Sequence, residues 1–130
     1  MIVVDTSAWI ELFRSSESET HVALRDLLET GADLGVTEVV VMELLGGTPA
    51  HRAALRKRLL SLSLVPLNGL QDFEAAATIY RRCRLAGETL RGGYTDCLIA
   101  VPVIREKATL LHCDQDFEVI ARHTDLQLAL

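Results

Sequence analysis

Five carboxylic acids occupy positions from which they could bind a divalent cation. Asp5 follows the apolar start "MIVV", Glu43 lies inside "VVVMELLGG", Asp96 opens "TDCLIA", and Asp114 and Asp116 are one residue apart in "HCDQDF". Close carboxylates repel one another by roughly 4 kcal/mol per pair at a separation of about 4 Å and an effective dielectric constant of about 20. If these groups converge, raised pKa values or a bound ion must relieve the repulsion. A set of oxygen ligands favours Mg²⁺ or Mn²⁺ over zinc.

Helix capping is the alternative explanation for the aspartates. Asp is a favoured N-cap residue, and Asp5, Asp96 and Asp114 each precede a predicted helix. Glu43 does not fit this explanation, because the apolar residues around it predict that it is buried. No Lys or Arg lies within seven positions of Glu43, so its partner must come from elsewhere in the fold, and a cation could be that partner.

Short apolar runs alternate with helical patterns along the whole chain. This alternation predicts an α/β fold with a mostly parallel sheet. Ligands of such sheets bind beyond the carboxyl ends of the strands, where Asp5 and Asp114 are expected. The predicted strands are 1–4, 33–37, 63–67 and 108–113, and the predicted helices are 6–13, 16–31, 37–47, 49–62, 69–87, 95–107 and 115–123.

Several helix boundaries follow from particular residues. Ser16 and Glu19 have the spacing of a capping box, and Pro49 would occupy the first turn of its helix. Pro102 lies inside an apolar helix and is expected to kink it. Along an extended segment, alternation would place residues 112, 114 and 116 on the same side.

Length, charge and composition limit the classes of protein to which this chain can belong. A chain of 130 residues predicts a single compact domain, 1–130. A net charge of −5 argues against a protein held to nucleic acid by a basic surface, although it allows a metal-bridged contact with a phosphodiester. The three cysteines lack CxxC spacing and are expected to be reduced and buried. No apolar run approaches the roughly 20 residues of a membrane span, and a cytoplasmic protein is expected.

Four segments together resemble the PIN-domain nucleases, in particular the small VapC-type toxins of toxin–antitoxin pairs. They are "VVDTSAWIELF", "EVVVMELLGG", "TDCLIA" and "TLLHCDQDF", and the likeness covers essentially the whole chain in order and length. The resemblance implies a three-layer α/β/α PIN-like fold with a central sheet flanked by helices. It also implies an endoribonuclease whose acidic pocket binds Mg²⁺ or Mn²⁺.

The resemblance assigns roles to individual residues. The acidic residues of the family correspond to Asp5, Glu43, Asp96 and Asp114, and Asp116 matches a position that is often acidic. Thr6 matches a hydroxyl residue that often lines the pocket, whereas Pro102 departs from the small residues expected at its position. The implied partners are an RNA substrate, a VapB-type antitoxin that inserts an arginine between the carboxylates, and a second copy in a homodimer.

The resulting hypothesis is hydrolysis of RNA by a metal-activated water. Asp5 and Asp96 would hold the ion directly, with Glu43 and Asp114 acting through water. One or more of four arginines would guide the RNA strand. Two alternatives are a receiver-like Mg²⁺-binding phosphoacceptor domain and a noncatalytic partner-binding module. The four arginines are Arg81, Arg82, Arg84 and Arg91.

Overall fold

The computed structural model describes residues 1–47 and 51–130. Helices and strands alternate as the sequence predicted. In chain order the elements are β1 (Ile2–Val4), α1 (Thr6–Phe13), α2 (Glu19–Glu29), β2 (Leu34–Thr37), α3 (Glu38–Gly47), α4 (Arg52–Leu60), β3 (Ser63–Val65), α5 (Gly69–Leu85), α6 (Tyr94–Arg105), β4 (Thr109–Leu111), α7 (Gln115–His123) and β5 (Gln127–Leu128).

The described strands form one parallel sheet in the order β3-β2-β1-β4-β5. In β1, Ile2 pairs with Leu34 on one side and with Thr109 on the other. The chain therefore builds outward from β1 to β3, crosses back, and continues from β4 to β5. The strand order reverses between β1 and β4, and this switch point is where open α/β sheets bind ligands.

Apolar side chains bury the sheet between two groups of helices. Val3, Val4, Leu110 and Leu111 of the two central strands are fully buried, and the bulky Trp9 is 1% exposed. Helix α1 packs on α2 and α3 on α4, while α5 packs on α6 and α7. Right-handed crossovers place helices on opposite faces of a sheet whose strand order reverses, which gives the three-layer α/β/α arrangement. In the described parts of the chain, no helix is long and apolar enough to cross a membrane.

The structure corrects several local predictions. Ser18, not Ser16, caps α2 by accepting a hydrogen bond from the amide of His21. Helix α6 runs through Pro102 to Arg105, which agrees with the helix predicted over 95–107, and the kink at Pro102 stays a prediction. The predicted start at Pro49 lies outside the described residues. Cys83 and Cys97 are buried free thiols as expected, but Cys113 is exposed, since it follows the end of β4.

An ion pair between the buried Asp72 and the half-buried Arg105 joins α5 to α6. Asp72 is 4% exposed and accepts hydrogen bonds from the Arg105 guanidinium and from the amide of Asn68. The same guanidinium donates to the carbonyl of Pro66. Removing one partner of such a pair leaves an uncompensated buried charge.

Arg105→Met is therefore expected to lower the free energy of unfolding by about 2 to 4 kcal/mol at pH 7. Urea denaturation followed by circular dichroism measures the change. The double variant Asp72→Asn/Arg105→Met removes both charges and should recover much of the loss. Equal stability of Arg105→Met and the wild type would show that the pair contributes nothing.

Candidate active site

Two aspartates leave the central strands at the switch point and cap the helices that follow. The Asp5 Oδ2 accepts hydrogen bonds from the amide (2.9 Å) and the hydroxyl (2.6 Å) of Ser7 at the start of α1. The Asp114 Oδ1 accepts one from the amide of Asp116 (2.9 Å) at the start of α7. Asp5 and Asp114 can each cap a helix with one carboxylate oxygen and still offer the second oxygen to a shared site.

A third aspartate joins them from α6. Asp96 lies in the first turn of that helix and does not cap it, since Gly93 occupies the N-cap position. One carboxylate oxygen from each of Asp96, Asp114 and Asp116 lies within 4.8 Å of the others. Oxygens this close together can share one divalent cation.

Asp116 is more deeply buried in the acidic cluster, and makes more contacts there, than the sequence indicated. It is 3% exposed, and its two oxygens accept the amides of Arg91 (3.1 Å) and Gly92 (2.6 Å) from the loop before α6. The predicted alternation of residues 112, 114 and 116 on an extended segment was wrong, because α7 begins at Gln115. The helical turn brings Asp114 and Asp116 together instead.

Two buried oxygens in this region have no hydrogen-bond partner within the described structure. They are Oδ1 of Asp5, which is 3% exposed, and Oδ2 of Asp96, which is 7% exposed. A buried carboxylate oxygen without a donor is costly, and a cation would satisfy it. The residues therefore fit a divalent metal ion.

Glu43 approaches the site from α3 but is only half-buried, which corrects the predicted burial. The buried residues of α3 are Val39, Val40 and Leu44. The Oε1 of Glu43 accepts a hydrogen bond from the Thr6 hydroxyl at 2.7 Å, so its partner in the fold is this neutral donor. Thr6 thus contacts Glu43, and its role in lining the pocket stays a prediction.

The electrostatics reflect this crowding of acids. Burial, the contact with Asp116 and the charges of Asp114, Asp5 and Asp116 raise the pKa of Asp96 from 3.8 to about 8. Burial also raises the pKa of Asp5, which the hydrogen bonds from Ser7 oppose and the charge of Glu43 reinforces. Without a cation, Asp96 therefore carries a proton at neutral pH.

The raised pKa of Asp96 predicts that the metal-free protein loses stability as pH rises from about 4 to about 8. In this window the folded state holds a proton that the unfolded state has released, so folding becomes less favourable with each pH step. We expect Asp96 alone to remove roughly 3 to 5 kcal/mol across the window. Urea denaturation in EDTA at several pH values measures this.

Asp96→Asn is the control for that experiment, because the amide does not titrate. Over the same pH window, the free energy of unfolding of Asp96→Asn should fall by several kcal/mol less than that of the wild type. Parallel curves for the two proteins would contradict the assignment of the proton to Asp96.

Ser7 is a site residue that the sequence reasoning missed. Its hydroxyl donates to Asp5 and accepts the amide of Cys113 at 2.8 Å, which links the ends of β1 and β4 across the switch point. By occupying Oδ2 of Asp5, Ser7 leaves Oδ1 as the oxygen without a partner. A hydroxyl two positions after Asp5 was the available signal, since Ser and Thr there commonly bond back to a cap.

Gly92 packs directly against the Asp96 carboxylate. A Cβ atom at this position would lie 2.3 Å from Oδ2 and 2.6 Å from Cγ of Asp96. Only glycine therefore allows the loop to approach this closely while its amide binds Asp116. The position of the loop before α6 and the positions of Asp96 and Asp116 therefore depend on one another.

A cavity of about 770 Å³ lies elsewhere. It is bounded by α5, α6 and the end of α7, and none of the five acids lines it. Its charged residues include Asp72 and Arg105, which neutralise one another. The chemistry is therefore assigned to the carboxylate cluster and not to this cavity.

Comparison with known proteins agrees with this geometry. A sequence model of the PIN domain matches residues 2–123. The chain belongs to the PIN-domain family. It is 44% identical over 132 residues to two members, VapC ribonuclease Mb1587 of Mycobacterium bovis and ribonuclease VapC11 of Mycobacterium tuberculosis. Each alignment covers 99% of this chain and 98% of the relative, so the predicted VapC-type PIN family is confirmed.

A solved structure extends the agreement to the fold. A chain in the structure of VapBC2 from Rickettsia felis, bound to a DNA fragment from their promoter, superposes with a TM-score of 0.71. The match covers 98% of this chain and 97% of that one at 19% sequence identity. The predicted PIN-like fold with its parallel sheet is thereby confirmed.

Proposed function

We propose that this PIN protein is the toxin of a VapBC toxin–antitoxin pair and hydrolyses RNA phosphodiester bonds with the help of Mg²⁺ or Mn²⁺. The unit responsible is a single domain, 1–130. Its catalytic residues are Asp5, Glu43, Asp96 and Asp114, and Asp116 joins them in holding the metal. The 44% identity to named VapC ribonucleases supports the reaction class.

One observation carries the proposal. The cluster pairs three convergent aspartates with two buried carboxylate oxygens that lack any donor in the described structure. A site built only for capping would not leave Oδ1 of Asp5 and Oδ2 of Asp96 unsatisfied. The oxygen-only donor set favours Mg²⁺ or Mn²⁺ over softer metals.

The surroundings of each residue suggest its role in metal binding or proton transfer. Asp5 and Asp96 present their unpartnered oxygens to the ion, while one oxygen of Asp114 and both oxygens of Asp116 accept backbone amides. Glu43 is half-exposed and fixed by Thr6 through Oε1, so its Oε2 can accept a proton from an attacking water. When bound, a divalent ion lowers the pKa of a water and neutralises charge developing on the phosphoryl oxygens.

The partners follow from the family. The R. felis structure contains VapBC2 with promoter DNA. By analogy, a VapB-type antitoxin would bind this chain and place an arginine among the carboxylates, where a guanidinium would replace the cation. We also propose a homodimer acting in the cytoplasm.

The chemistry of the RNA ends tests the reaction. Purified protein is incubated with total RNA in Mn²⁺ or in EDTA, and the new ends are mapped by sequencing. Attack by water predicts 5′-phosphate and 3′-hydroxyl ends that appear only with the ion. Ends carrying a 2′,3′-cyclic phosphate, or equal cleavage in EDTA, would reject the proposal.

A further inference from the structure

We propose that Tyr80 and Tyr94 form a stacking platform for an unpaired base of the substrate, at the end of α6 that also carries Asp96. The inference rests on the proposed ribonuclease function and names the part of the RNA that the site recognises. The two residues are the only tyrosines in the chain. Their ring centroids are 4.2 Å apart with an interplanar angle of 32°.

Tyr94 is placed to contact substrate and not to bind metal. It is the first residue of α6, and Asp96 lies two positions later in the same turn. At about 100° per residue, the two side chains leave the helix on different sides. Tyr94 therefore lies at the same end of α6 as the cluster but across the helix from it, at a distance of roughly 10 Å, one helix diameter.

One side of the Tyr94 ring is open. The ring contacts Tyr80, which is half-buried on α5, yet Tyr94 is 63% exposed. A large aromatic ring in this state has little to gain from the fold itself and can accept a second ring on its free face. Every nucleobase offers such a face, and proteins that bind single strands use exposed aromatic rings in this way.

The platform is also held at a fixed position relative to the carboxylates. The Asp116 carboxylate binds the amides of Arg91 and Gly92, directly before Tyr94. Gly93 then adopts φ 59° at the N-cap, which turns the chain into α6. The same aspartate therefore anchors both the cluster and the segment that carries the ring.

Basic side chains near the platform suit a phosphate backbone. Arg84 lies one helical turn after Tyr80 on α5, and Arg91 lies three residues before Tyr94; both are exposed. Neither forms an ion pair with another residue in the described ranges. In a protein of net charge −5, these guanidiniums offer local attraction to the strand.

Binding of two matched probes tests the platform. Fluorescein-labelled decathymidylate carries bases and phosphates, while a labelled abasic deoxyribose-phosphate decamer carries the phosphates alone. Anisotropy in Mn²⁺ should show that the wild type binds the base-bearing probe more tightly by about 5- to 100-fold, the range that one stacked base provides. Tyr94→Ala should remove this preference, and Tyr94→Phe should keep it.

Phe73→Ala is the matched control, because Phe73 is an exposed aromatic residue elsewhere on α5. It should leave the preference unchanged, and Mn²⁺ affinity should be the same in all variants. An unchanged preference in Tyr94→Ala would overturn the platform. So would sedimentation showing that Tyr94→Ala turns a dimer into a monomer, since the pair would then be a subunit contact. Cleavage of RNA is scored separately, so failure of the ribonuclease activity is distinguishable from failure of the platform.

Discussion

Asp96→Asn is expected to reduce RNA cleavage in Mn²⁺ by about 10³-fold or more. The amide keeps the size of the carboxylate but supplies no charge, so a buried ion ligand contributed by α6 is lost. Loss of several kcal/mol of charge stabilisation in the transition state corresponds to this factor. Cleavage of total RNA over time measures the rate, and isothermal titration measures Mn²⁺ binding, which should fall in parallel.

Asp96→Asn should lose activity but gain stability, and a gain in stability distinguishes the loss of activity from misfolding. Metal-free Asp96→Asn should be more stable than metal-free wild type at pH 8, because it removes the burial of a charge and the repulsion by neighbouring carboxylates that raise the pKa of Asp96. Asp125→Asn, which removes one exposed aspartate far from the cluster, should retain full activity. Wild-type cleavage by Asp96→Asn would remove this residue from the mechanism.

Gly92→Ala should reduce cleavage by about 100-fold without removing any ligand. The added Cβ would meet the Asp96 carboxylate at 2.3 to 2.9 Å, so that carboxylate must move. A displacement of about 1 Å at a reacting centre costs on the order of 100-fold in rate. Single-turnover cleavage measures the effect, and Mn²⁺ affinity should fall by about 10-fold or more.

Gly46→Ala is the matched substitution, since nothing lies within 4 Å of a Cβ at that position on α3. It should leave cleavage unchanged and stabilise the helix slightly. If Gly92→Ala cleaves RNA at the wild-type rate, the close packing of the loop on Asp96 has no functional importance.

The sequence predicted the architecture well because its signals were strong. Alternating apolar runs and helical patterns predicted β1 to β4 and all the described helices. Because Asp5 and Asp114 follow predicted strands, they were candidates for a site at the carboxyl ends of those strands. Strand β5 was missed, because its two residues have no periodicity and pair only through their position beside β4.

The arrangement inside the site was harder to predict, because it depends on contacts between distant residues. Glu43 was expected to be buried from its neighbours in sequence, but the phase of α3 leaves it half-exposed beside Thr6. The importance of Asp116 depends on the amides of Arg91 and Gly92, about 25 residues earlier in the chain. No local pattern contains that information.

The Ser7 hydroxyl bridges segments that are 106 residues apart in the chain. During synthesis, β1 leaves the ribosome early but cannot acquire its second neighbour until residues 109–111 of β4 have emerged. Such distant pairing is also slow to form. The junction that positions Asp5 beside Asp114 therefore forms only after residues 109–114 have been synthesised.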